Sequence, residues 1–120
     1  MATVTEIASS YGPGECLDCV NALCEKFDGL VLIIDIRDIT SSQRAHIMNI
    51  SKSANNAISN TGLHYAFLFQ GTVYDNLYHS GVTKRVWLKS FIYLDRDFQE
   101  VTIPSGSIKE LTIEEFREFT

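Results

Sequence analysis

The chain has 120 residues, of which 45 % are hydrophobic and 11 % aromatic, enough apolar material for one domain with one core. Its formal net charge of −5 excludes a protein that grips phosphate backbones through a basic face, so nucleic acid is not an expected partner. No apolar run approaches the roughly 18 residues that a membrane helix needs, and Met1 to Ser10 lacks the basic start and apolar core of a signal peptide. A soluble, cytoplasmic protein that does not span a membrane is the expectation.

From the N-terminus, Ala2 to Ala8 holds Val4 and Ile7 among threonines, the pattern of a weak strand at a sheet edge. Ser9 to Gly14 is a turn by its glycines and proline. From Glu15, the positions Cys16, Cys19, Val20, Leu23, Cys24 and Phe27 recur at helical spacing and form one apolar face, ended by Asp28-Gly29. The stretch Gly29 to Thr40 contains five consecutive apolar residues, Leu30 to Ile34, which predicts a central strand buried on both faces. Thr40-Ser41-Ser42-Gln43 has the form of a capping box, so a long second helix is expected over residues 41–60.

Leu63 to Gln70 predicts another buried strand. Gly71-Thr72 opens a short third helix with Val73 and Leu77 inward. A further strand falls in Arg85 to Leu94, either as Ser90 to Leu94 alone or as a hairpin kinked near Lys89-Ser90. Ile103-Pro104-Ser105-Gly106 forces a break. Thr112-Ile113-Glu114-Glu115 is a second capping box, opening a short helix with Ile113, Phe116 and Phe119 on its apolar side. The resulting expectation is a single α/β domain over residues 1–120. Residues 1–14 form a weak edge strand and loop, a mostly parallel sheet of about four strands is flanked by helices, and residues 104–120 form a C-terminal loop and helix.

Three cysteines within nine residues, Cys16, Cys19 and Cys24, make a poor disulfide framework and suit free thiols in a reducing compartment. Cys16-Leu17-Asp18-Cys19 is a CxxC, which at a helix N-terminus can run disulfide exchange, so a thioredoxin-like redox protein using Cys16 and Cys19 is the alternative function. The competing reading makes these cysteines small buried hydrophobes. His46, His64 and His79 stand in no metal-ligand spacing, and no metal or cofactor is expected. Asp35 and Asp38 end the central strand where open α/β sheets bind ligands, as in phosphoryl-accepting receivers, although the acidic pair that a receiver needs near its N-terminus is missing. No phosphate-binding glycine loop and no serine nucleophile elbow is present.

Leu32-Ile33-Ile34-Asp35-Ile36-Arg37-Asp38-Ile39-Thr40-Ser41-Ser42, followed by a long helix, Ala66-Phe67-Leu68-Phe69, a helix carrying Tyr74 and Tyr78, and Phe91 to Asp97, resembles the STAS-like family. That family contains the anti-sigma-factor antagonists and shares a fold with Sec14-type lipid-binding domains. The resemblance implies a non-catalytic regulatory module that binds a partner protein or a small apolar ligand. It also implies a phospho-switch at Ser41 or Ser42, where added charge would meet a helix N-terminus. The binding site would be framed by Asp38, Tyr74, Tyr78 and Tyr11. The edge near Val4 and the aromatic segment Phe91 to Tyr93 are candidate surfaces for a homodimer.

Overall fold

A computed structural model of the protein describes residues 3–12, 14–39, 46–50, 57–59, 61–95, 97 and 99–120. Two antiparallel sheets organise them. The first contains β1 (Leu30–Asp35), β4 (Leu63–Phe69), β5 (Thr72–Tyr74), β6 (Val82–Thr83) and β9 (Ile108–Thr112), in the spatial order β6-β5-β4-β1-β9. The second contains β2 (Ile47–Asn49), β3 (Ala57–Ser59), β7 (Phe91–Leu94) and β8 (Glu100–Thr102), in the order β3-β2-β7-β8. Four short helices complete the described fold: α1 (Val4–Ala8), α2 (Cys16–Lys26), α3 (Lys84–Lys89) and α4 (Ile113–Phe119).

The predicted parallel sheet is therefore corrected. β1 is an inner strand with both faces buried, as its apolar run demands, but it pairs antiparallel with β4 and with β9. Burial on both faces requires cover on both sides and says nothing of strand direction. Here one face, through Val31 and Ile33, packs with Tyr65 and Phe67 of β4 against α1, α2 and Phe116 of α4. The other, through Leu32 and Ile34, packs with Ala66 against Ile47, Trp87, Phe91 and Ile103. Helices cover one side, and the second sheet with α3 covers the other.

Three local expectations also change. Residues 4–8 form a helix, because the Thr3 hydroxyl accepts the Glu6 N–H at 3.1 Å and Val4 and Ala8, four apart, share its buried face. Within the segment expected to be a long helix, the described parts are β2 and β3, paired with each other. A helical stripe would bury Ile47 and Ile50 together, yet Ile47 is 0 % and Ile50 50 % exposed. The capping-box residues Thr40 to Gln43 lie outside the described residues. The expected third helix is instead β5, joined to β4 by a two-residue turn in which Gln70 and Gly71 both have positive φ, 51° and 82°.

Other elements match their sequence patterns. α2 and β4 occupy the expected segments, and β7 takes the shorter of the two alternatives. The capping box at α4 has both of its bonds, Glu115 N–H to the Thr112 hydroxyl and Thr112 N–H to the Glu115 carboxylate. Val4 and Phe91, named as parts of self-association surfaces, are buried within this chain. Among the described residues no helix is long and apolar enough to cross a membrane.

Candidate active site

Cys16 is the first residue of α2, and no side chain caps that end of the helix. The Glu15 carboxylate turns back instead to accept the Gly12 N–H at 2.9 Å, while Gly12 O accepts the Glu15 N–H at 3.1 Å. Glu15 thus gives no side-chain acceptor to the first-turn N–H groups of α2, and the positive end of the helix dipole lies at the sulfur's own residue. A thiol so placed is favoured as thiolate.

β4 supplies the second group. The alternation Leu63-His64-Tyr65-Ala66-Phe67 inserts one imidazole into a buried strand, where it is 1 % exposed and lies against the rings of Trp87 and Phe91, with centroids 6.2 and 4.9 Å away. A polar ring in such a place needs partners. Its Nε2 lies 2.9 Å from Oδ2 of Asp75, the residue directly after β5. The β4–β5 hairpin therefore brings the imidazole and the carboxylate together across 11 residues of sequence.

Asp75 is 0 % exposed and its carboxylate is saturated with donors. Oδ2 accepts from His64 Nε2 and from Trp87 Nε1, each at 2.9 Å. Oδ1 accepts the Leu77 N–H at 2.8 Å and the Tyr78 N–H at 2.7 Å. Burial opposes its charge, but His64, Trp87 and the Tyr78 amide outweigh burial and hold the carboxyl below its ordinary value. Such an anion fixes both the orientation and the charge of the ring behind which it sits.

The remaining ring nitrogen, His64 Nδ1, is buried without a hydrogen-bond partner. Cys16 and His64 lie close enough for each to shift the other's titration. Burial pushes the Cys16 thiol up, yet His64 and the Tyr65 amide bring it below its ordinary value. For His64, burial works against protonation, but Asp75 and Cys16 raise it to about 9. All three shifts act in the same sense, toward a thiolate beside an imidazolium with a carboxylate behind it.

The other cysteines behave differently. Burial, Asp75 and Cys16 push Cys19 up to about 12, and burial pushes Cys24 up to about 11 despite Arg117. All three are free thiols. The CxxC thus contains one activated sulfur and one inert neighbour. Asp35 is bound by Arg37 through both carboxylate oxygens at 2.9 Å and approached by Lys109 at 3.6 Å, an ion-pair arrangement on the first sheet. Asp38 lies exposed on the turn after β1. Tyr74 packs toward the helix-covered core, and Tyr78 lies in the other core, where its hydroxyl accepts from Asn49 Nδ2 at 3.0 Å. Tyr11 meets the site through its carbonyl, held by His79 Nε2 at 2.8 Å. Ser41 and Ser42 lie outside the described residues. Among the described residues no group of three or more His, Cys, Asp or Glu side chains could hold a metal ion.

Sequence reasoning singles out Cys16 but pairs it with Cys19, sets His64 aside for want of metal spacing, reads Trp87 with Lys84 and Arg85 as a solvated strand entry, where the structure buries it in α3, and gives Asp75 no role. One signal was available: a histidine within the apolar run Leu63 to Phe69 must find a buried polar partner.

A thiol at a helix start, an imidazole on the adjoining strand and a carboxylate behind the imidazole are the groups from which cysteine-nucleophile sites are built. Over residues 1–92 the chain matches the family described as papain fold toxin 2, and it belongs to that family. No curated protein and no solved structure matches the chain. Family membership overturns the STAS-like resemblance and the regulatory-module function drawn from it. The thioredoxin-like alternative falls as well, since Cys19 is 0 % exposed and held as a thiol.

Proposed function

We propose that the protein is a cysteine-dependent enzyme of acyl transfer, most simply a hydrolase of amide or ester carbonyls, and that this chemistry underlies the toxin description of its family. The observation that supports this reading is the state of the His64 ring, with Nε2 tied to Asp75 at 2.9 Å, Nδ1 buried and unbonded, and the Cys16 thiol near enough to be lowered by it.

In the first half-reaction the Cys16 thiolate attacks the carbonyl carbon, and the carbonyl π electrons move to oxygen. The Cys16 backbone N–H and the open first turn of α2 face that developing charge. His64 gives its Nδ1 proton to the leaving amine or alcohol as the carbon–heteroatom bond breaks, leaving a thioester on Cys16 and a neutral ring. In the second half, His64 Nδ1 takes a proton from water, whose oxygen attacks the thioester, and the carboxylic acid leaves as the thiolate reforms. Asp75 stays ionised throughout and holds the ring in the tautomer that presents Nδ1.

The test is the rate of alkylation by iodoacetamide from pH 5 to 9, with Cys16→Ala and His64→Gln alongside. Fast labelling below pH 7, absent in Cys16→Ala and slowed in His64→Gln, is the expected outcome. Labelling of the native protein with an ordinary thiol's pH profile would overturn the reading. In parallel, expression of the wild-type chain should arrest growth of a bacterial host while Cys16→Ala does not; equal growth would remove the link to toxicity.

A further inference from the structure

The seven residues from Asp75 to Gly81 do more than supply the carboxylate. Asn76 Nδ2 donates to Gly12 O at 2.8 Å, and His79 Nε2 lies 2.8 Å from Tyr11 O, an acceptor only, so that nitrogen carries the proton. Both bonds cross more than sixty positions of sequence. They land on the carbonyls of Tyr11 and Gly12, in the loop that leads into Glu15 and Cys16. Gly12 O is held twice, by Asn76 and by the Glu15 N–H. Asn76 itself is 4 % exposed, so water does not compete for that bond.

The segment is itself stiffened at both ends. Asp75 Oδ1 takes the Leu77 and Tyr78 amides, and Gly81, at φ 85°, donates to Tyr78 O at 3.1 Å. A single loop therefore sets the acid of the site through one residue and the entry to the nucleophile helix through two others. We infer that Asn76 and His79 are positioning residues, which fix where α2 begins and hence where the Cys16 sulfur lies relative to His64. This rests on the acyl-transfer reading of the site. Without the two bonds, the entry loop would keep its local bonds, Gly12 with Glu15 and the Tyr11 N–H to Ala8 O, and the packing of Tyr11 on the core, but it would lose these ties to the loop that carries Asp75, and the sulfur its registration to a ring that Asp75 still holds.

The experiment measures the pH profile of Cys16 alkylation by iodoacetamide on the full chain for wild type, Asn76→Ala, His79→Leu and His79→Gln. Thr112→Ala, which removes a cap whose bonds run to Glu115 and not to the entry loop, serves as a control for general loss of stability. The expected result is a profile moved to higher pH in Asn76→Ala and His79→Leu. The rate at pH 6.5 should fall about tenfold, the effect of one pH unit in the thiol's titration. His79→Gln, whose amide reaches a similar position, restores it to within about twofold, and Thr112→Ala leaves it at the wild-type value. A wild-type profile in His79→Leu and Asn76→Ala would overturn the inference, as would an equal displacement in Thr112→Ala. If the wild-type thiol itself titrates as an ordinary cysteine, the acyl-transfer reading has failed first.

Discussion

Replacing Asp75 with Asn preserves the shape of the site and removes its buried anion, so it measures how far the His64 proton depends on that charge. Burial alone would push His64 below its ordinary 6.5, yet its partners hold it at about 9. At about 1.4 kcal/mol per pH unit, that difference corresponds to about 3 kcal/mol of folding stability. Because the folded state binds this proton more tightly than the unfolded state, the contribution is complete below pH 6.5 and is lost as pH rises through about 9. Asn adds a second cost that does not vary with pH. One oxygen becomes an NH2 group, which must face either the Leu77 and Tyr78 amides or the His64 and Trp87 donors. Donor against donor in a buried site costs about 1–3 kcal/mol. Urea unfolding at pH 6 should therefore show Asp75→Asn less stable than wild type by about 4–6 kcal/mol. By pH 10 the gap should shrink to the fixed part alone. A gap of the same size at both values would refute a charged His64.

Other perturbations separate the roles of neighbouring groups. Trp87→Phe keeps a ring in the core but withdraws the Nε1–H bond to Asp75, and should cost about 1.5–3 kcal/mol by urea unfolding. Cys19→Ala should leave the alkylation profile of Cys16 unchanged, because the neighbouring thiol is buried and takes no part in activating it; a slower Cys16 would contradict this. Thr112→Ala removes one of the two capping-box bonds of α4 and should cost about 1 kcal/mol, seen as a lower Tm. At Gly29 a methyl group would lie 2.6 Å from Leu68 O and 2.8 Å from the Phe67 ring, so Gly29→Ala should destabilise by about 1–3 kcal/mol. An unchanged Tm would show that β1 and β4 can separate there at little cost.

The parts of the fold visible in the sequence are those in which one segment reveals its own environment. Leu30 to Ile34 and Leu63 to Phe69 announce buried strands by unbroken apolar character, α2 by its helical stripe, and α4 by a capping box made entirely within four residues. Pairing direction was hidden, because β1 meets β4 and β9 through contacts that no local pattern encodes. β5 reads as a helix in the sequence because Gly71-Thr72 also resembles a helix start; the Gln70-Gly71 turn depends on a left-handed glutamine, which sequence rarely signals. The site was half visible for the same reason. Cys16 drew notice, but its proximity in sequence to Cys19 suggested the wrong partner, while His64 and Asp75 reach it only through the sheet. Each group looks ordinary alone, and the chemistry arises from their meeting.

That meeting has a consequence for when reactivity appears. Asp75, His64 and Trp87 lie within one stretch of chain, whereas Cys16 belongs to a helix made much earlier. During synthesis the future nucleophile leaves the ribosome first, as a plain thiol among two others. It keeps an ordinary thiol's pKa until the β4–β5 hairpin and α3 have been made and docked, since their packing creates the buried His64–Asp75 pair that lowers it. A nascent, misfolded or unfolded copy carries Cys16 as an ordinary thiol, and a lowered thiol pKa becomes a reporter that α2, the β4–β5 hairpin and α3 have come together.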